Sequence, residues 1–193
     1  AILEKVDERA SAFEYDFAIQ LQDWTRSEEQ SDQLVLIENV LKQVVTPLAK
    51  QQPTLLPVLD GMSVAVFRQL LQDILRYDWT EIVHEGHALP RPVLATLPCV
   101  TSISRRGLFM GRLDPGTNGT EEGEFKKNDI LLHETGSQKR PQLFKMGDLA
   151  EESQGGIASK VRDAIADKKC RVVSVVLNAI DDHLDSGKQV DFT

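Results

Sequence analysis

An α/β fold is the class this sequence predicts, and two segments predict it. Thr54-Leu55-Leu56-Pro57-Val58-Leu59 is a short apolar run that stops at Asp60-Gly61 and gives way at once to helical spacing. Arg171-Val172-Val173-Ser174-Val175-Val176-Leu177-Asn178 is a β-branched run, apolar enough to lie buried on both faces of a sheet. It follows a helical pattern over Ile157–Ala166, and strand–turn–helix units in this order are the halves of βαβ crossovers. Composition agrees with one good hydrophobic core: 193 residues, 41% hydrophobic and 27% charged, exclude a largely disordered chain. The apolar runs fall well short of the roughly 18 residues of a membrane span, and a cytoplasmic location is expected from the cysteine content taken up below.

The elements follow in order. Ile2, Val6, Ala10, Phe13, Phe17, Leu21 and Trp24 fall three or four apart, one stripe of an amphipathic helix. Ser31 or Asp32 offers an N-cap to a second helix carrying Leu34, Ile37, Leu41, Val44, Val45 and Leu48, ended by the region around Pro47 and Pro53. Both stripes are expected in the core, and together they define an N-terminal helical segment over residues 1–53. The core over 54–193 opens with the first strand. Val64, Phe67, Leu70, Leu71, Ile74 and Leu75 then mark the helix after Asp60-Gly61. Residues 112–140, rich in Gly, Thr, Asn, Glu and Lys, read as a polar surface insertion without core elements.

Charge and cysteine content narrow the function classes. The net charge of −8 makes a poor general nucleic-acid glove, although a local basic patch could still hold phosphate. Two cysteines cannot build a disulfide framework and point to a reducing compartment, and so few Cys and His exclude a zinc-finger-type site. Cys99, flanked by apolar residues and lacking a paired His, reads as an inert core thiol. His84 and His87, split by Gly86, read as surface or capping residues, and His133 stands alone. No GxGxxG or P-loop lysine motif occurs.

Three segments carry candidate chemistry. Asp60 is the first residue after a buried strand, presented at the sheet rim where ligands of open α/β sheets gather; it also suits a helix cap. Thr101, Ser102 and Ser104 cluster at the start of a helix that runs to Gly111. There free N–H groups and the helix dipole favour phosphate, and a neighbouring cation would make a hydroxyl a nucleophile. Arg105 and Arg106 add charge suited to phosphoryl oxygens, against the plainer reading of a hydroxyl-rich cap with two solvated arginines. Asp181, Asp182, His183 and Asp185 follow the strongest strand as a hard-metal cluster or a solvated acidic turn. Their D-D-x-x-D spacing is that of prenyl-diphosphate enzymes, which need the motif on a long helix rather than after a strand.

Taken together, Val58-Leu59-Asp60-Gly61-Met62, Leu97-Pro98-Cys99-Val100-Thr101-Ser102-Ile103-Ser104-Arg105 with Gly107-Leu108-Phe109-Met110-Gly111, and Leu177-Asn178-Ala179-Ile180-Asp181 resemble the PglZ domain. That domain is a branch of the alkaline phosphatase superfamily found in BREX-type phage-defence systems. The resemblance covers about residues 54 to 187. It implies an alkaline-phosphatase-like sheet flanked by helices and a two-metal phosphoesterase site loaded with zinc, manganese or magnesium. By the same resemblance Asp60 is a metal ligand, and Thr101 is the nucleophile and also touches metal. Asp181 and Asp185 hold the second cation, with Asp182 and His183 as alternatives, and Arg105 steadies non-bridging oxygens.

The superfamily's later Asp-His-Gly motif does not occur in this chain, which begins with Ala1 and ends at Thr193. The expectation is therefore a piece of a longer protein. Its metals would be absent or weakly held, it would be inactive alone, and an open sheet edge would favour dimers. The parent activity expected is a metal-dependent phosphodiesterase or nuclease, with nucleic acid as a possible substrate. The alternatives are a non-catalytic scaffold for a partner such as a DNA methyltransferase, docked through the N-terminal helices, and a phosphomutase or sulfatase-like relative.

Overall fold

A computed structural model of the chain describes residues 2–27, 34–97, 99–113, 120–149 and 157–178. They form a mixed α/β protein divided into two units, residues 1–33 and 34–193. The first unit is helix α1 (Ile2–Ser27). Ile2, Val6, Phe13 and Phe17 of its apolar stripe, expected in the core, are exposed, Phe13 at 73% and Phe17 at 53%, while Leu21 and Trp24 are half-buried.

The second unit opens with β1 (Val35–Leu36), followed by a 3₁₀ turn at Ile37–Asn39, a π turn at Leu41–Val45 and α2 (Thr46–Gln51). One continuous helix was the expectation, and Pro47 explains the difference. It has no N–H to return to the preceding turn, so the chain widens before it. Thr46 N–H bonds the Leu41 carbonyl in the wide turn, and the Thr46 hydroxyl donates to the same oxygen at 2.7 Å. The proposed caps Ser31 and Asp32 lie outside the described residues. The domain boundary also moves, because Val35, Leu41, Val45 and Ala49 are buried in the same core as Phe109 and Val172. Residues 34–51 thus belong to the α/β unit rather than to a separate helical segment.

β2 (Thr54–Leu59) and α3 (Val64–Ile74) form as expected. Gly61 makes the turn between them with φ of 71°, and Ser63 caps α3 by accepting the Val66 N–H at 3.3 Å. β3 (Val93–Leu94) pairs in parallel with β1, and α4 (Thr101–Met110) ends at Gly111 in the left-handed conformation. Cys99, expected in the core, is exposed in the irregular stretch before α4; the buried thiol is Cys170, whose pKa burial pushes up.

The largest correction falls on residues 112–140. The described parts, 112–113 and 120–140, include α5 (Glu121–Lys126) and α6 (Asp129–His133), and Phe125 and Leu131 are 0% and 1% exposed. Phe125 meets Phe109 edge-on with ring centroids 5.3 Å apart. The charge around these two residues conceals them from any averaged reading of polarity. Asn128 accepts the Leu131 N–H at 3.1 Å and Thr120 accepts the Gly123 N–H at 3.1 Å, so each short helix is capped.

β4 (Gln142–Phe144), α7 (Met146–Leu149), α8 (Ser159–Ala166) and β5 (Val172–Leu177) complete the unit. The sheet order is β2-β5-β4, all parallel, with β5 paired on both sides. Val172 and Val176 face a core shared with α2, α4, α5 and α6, while Val173 and Val175 face α8 on the other side. The result is three layers, helix–sheet–helix. Thr54 and Asp60 donate their N–H groups toward β5, at 2.8 and 3.0 Å, so the backbone groups of the even-numbered residues of β2 turn to β5 and those of the odd ones to the edge that no described strand pairs with. Pro57 therefore sits where its missing N–H costs no rung of the sheet. Among the described residues no helix is long and apolar enough to cross a membrane.

Phe125→Ala is expected to destabilise the protein by about 3–5 kcal/mol. Urea denaturation measures this, and a loss near zero would return the segment to a surface loop.

Candidate functional site

Of the three predicted motifs, the structure brings the first two together. Asp60 follows β2 on the side of the sheet that α4 covers, and Arg105 Nη1 donates to its Oδ2 at 2.9 Å across 45 residues of chain. Asp60 Oδ1 accepts the Gly61 N–H at 3.1 Å, which fixes the carboxylate against its own turn. Arg105 Nε donates to Glu121 Oε1 at 2.8 Å, and Lys145, just past β4, pairs with Glu121 Oε2 at 3.0 Å. The result is a chain of alternating charge, Asp60–Arg105–Glu121–Lys145, whose first three side chains are 16%, 18% and 12% exposed.

Thr101 is half-buried in the first turn of α4, one helical turn before Arg105 and so on the same face. Ser102 is exposed on the adjoining face, and Ser104 is tied to Thr96 by a 2.7 Å hydroxyl pair. Val100, not a hydroxyl residue, holds the cap position, and no side chain caps the helix. Thr101 is thus not consumed as a cap. Asp181, Asp182, His183 and Asp185 lie outside the described residues. Among the described residues, no three Asp, Glu, His or Cys side chains are grouped as a metal centre. His84 and His87 share one carbonyl, that of Glu85, in a local turn. His133 is exposed at the end of α6.

Sequence reasoning missed Glu121, Lys145 and Asn178. Glu121 had one local signal, the Thr120 cap followed by an acidic first turn, but its partner Arg105 is 16 residues away. Asn178 had the same signal as Asp60, being the first residue after a buried strand. Its Oδ1 is buried and has no hydrogen-bond partner among the described residues.

Burial alone would raise the pKa of Glu121, but hydrogen bonds and charge from Arg105 and Lys145 outweigh it and hold the carboxyl below the ordinary value. For Arg105, burial opposes the charged form, while Glu121 and Asp60 more than compensate and keep the guanidinium protonated. An arginine clamped between two carboxylates has a fixed fork and a fixed direction, which suits it to hold a planar or tetrahedral oxyanion.

No protein-family model matches the chain, and no curated protein matches it either.

A depressed carboxyl pKa stabilises the fold above its unfolded value, and that contribution disappears as pH falls through the lower folded value. Glu121→Gln is therefore expected to cost about 1–2 kcal/mol at neutral pH, the pair being partly screened. The gap between wild type and variant should close as pH drops below the ordinary glutamate value of 4.5. Urea melts over that pH range measure it; a gap constant with pH would mean that the Glu121 charge contributes nothing.

Proposed function

We propose that the α/β unit belongs to a metal-dependent phosphoesterase of the PglZ type, with an alkaline-phosphatase-like sheet. The observation that carries this reading is the Asp60–Arg105 ion pair. It joins the carboxylate at the end of β2 to the hydroxyl- and arginine-bearing helix α4, two of the three segments on which the resemblance rests.

The donors beside the sheet end fit a hard divalent cation. They are the Asp60 carboxylate, the Thr101 hydroxyl and a buried carboxamide oxygen, all oxygen ligands, which favour magnesium or manganese over zinc. Asp60 and Thr101 would hold such a cation, and Asp181 and Asp185 the second, with Asp182 and His183 as alternatives. When bound, the cations supply charge neutralisation to the attacking and leaving oxygens.

The chain's own residues do the rest. Arg105, fixed by Glu121, directs the guanidinium toward the non-bridging oxygens of a phosphoester. The Thr101 oxygen attacks phosphorus as its proton passes to water, and the departing ester oxygen takes a proton from water. Water then hydrolyses the phosphothreonine and regenerates the hydroxyl.

A second reading, a scaffold that docks a partner such as a DNA methyltransferase subunit, is favoured by one observation, the exposed apolar stripe of α1. Removing residues 1–33 is expected to abolish co-purification with such a partner; retained binding would remove this reading.

In the intact longer protein, Thr101→Ala is expected to lower turnover of a chromogenic phosphodiester with manganese by at least about 10³-fold. The melting temperature should stay within a few degrees, and Ser102→Ala should be far milder. Equal losses from the two changes would overturn the assignment of Thr101.

A further inference from the structure

The two rows of side chains that build the larger core do not stop with the strands. Leu56 and Val58 of β2, and Val172 and Val176 of β5, face that core. Asp60 and Asn178 are the next members of the same rows. Asp60 N–H bonds the Leu177 carbonyl at 3.0 Å, so the parallel register runs on past Leu59↔Leu177 and sets Asp60 beside Asn178. Neighbouring strands are about 4.8 Å apart, which puts the two side chains abreast on the α4 side of the sheet.

Their hydrogen bonding differs. Asp60 has one oxygen on Arg105 and the other on its own turn. Asn178 Oδ1 is buried and has no donor among the described residues. A carbonyl oxygen removed from water without a donor is costly, and such groups persist where something else satisfies them. Arg105 does not: its side-chain hydrogen bonds run from Nη1 to Asp60 and from Nε to Glu121. The missing partner is electropositive, small enough for the space between two strand ends, and compatible with a carboxylate alongside. A hard divalent cation meets all three conditions.

We propose that Asn178 Oδ1 is a ligand to a divalent cation that it shares with Asp60, making Asn178 a metal-site residue of this sheet end. The inference rests on the metal-dependent reading above and adds a neutral oxygen donor to it. A neutral ligand beside Asp60 lets the cation keep enough positive charge to draw a phosphoester oxygen, where another carboxylate would quench it.

The test is Mn²⁺ binding to the 193-residue chain, followed by the electron paramagnetic resonance signal of free Mn²⁺ in the millimolar range. Wild type, Asn178→Ala, Asn178→Asp and Asp60→Ala are compared, each checked for folding by thermal melting. Asn178→Ala is expected to weaken binding by about tenfold or more, Asn178→Asp to tighten it, and Asp60→Ala to weaken it strongly. If Asn178→Ala fails to fold, the near-isosteric Asn178→Asp carries the test. Loss of binding in Asp60→Ala with wild-type affinity in Asn178→Ala overturns the role of Asn178 alone. Weaker binding in Asn178→Asp overturns it too, since the amide would then be a donor to an anion. Wild-type affinity in Asp60→Ala defeats the metal reading itself and this inference with it, and no binding by the wild type up to that range overturns this inference.

Discussion

The in-register pairing of β2 with β5 is the constraint on which the remaining structure hangs. Six residues of each strand lie side by side although Leu56 and Ser174 are 118 positions apart in the chain. Such a closure is entropically costly, and it holds because β5 is buried along almost its whole length and its backbone is satisfied on both sides. Even the one polar side chain inside it is used: Ser174 is 0% exposed and donates its hydroxyl to the Leu56 carbonyl at 2.8 Å. With that ladder fixed, the strand ends are fixed, and with them the positions of Asp60 and Asn178.

The charged chain from Asp60 to Lys145 works on a different principle. Each member belongs to or borders a separate element: Asp60 follows β2, Arg105 lies midway along α4, Glu121 opens α5 and Lys145 follows β4. Two cations against two anions leave no net charge in the half-buried cluster, which is the condition under which such groups tolerate removal from water. Pairing also trades mobility for direction. A lone arginine on α4 would sample many rotamers, whereas one held at Nη1 and at Nε has its plane set before any ligand arrives.

What could be read from the sequence divides along physical lines. β2, α3, α4 and β5 were legible because each couples a local pattern to a local stop: an apolar run to Asp60-Gly61, a helical stripe to Gly111, a valine-rich run to Asn178. Phe125 and Leu131 were not legible, since nothing in Glu121–His133 distinguishes a core residue from a solvated one until Phe109 is placed against it. The two-residue strands Val35–Leu36 and Val93–Leu94 carry no period at all and exist only as a pair. In the candidate site, Asp60 and Thr101 came from position relative to an element. Glu121 and Lys145 become visible only when α4, α5 and β4 are assembled. The third motif lies outside the described residues.

Pro57 has a consequence beyond its harmless place in β2. Among the described residues no strand pairs with the outer edge of β2, and along that edge Pro57 leaves a gap midway between Leu55 and Leu59. Any strand laid along it must bring a bulge, a kink or a water-facing carbonyl to that height. A second copy of β2 would carry the same gap, so identical edges cannot zip together without a mismatched rung. One imino acid thus acts as a selectivity filter on assembly: the edge can be extended, but only by a segment whose backbone is shaped for it.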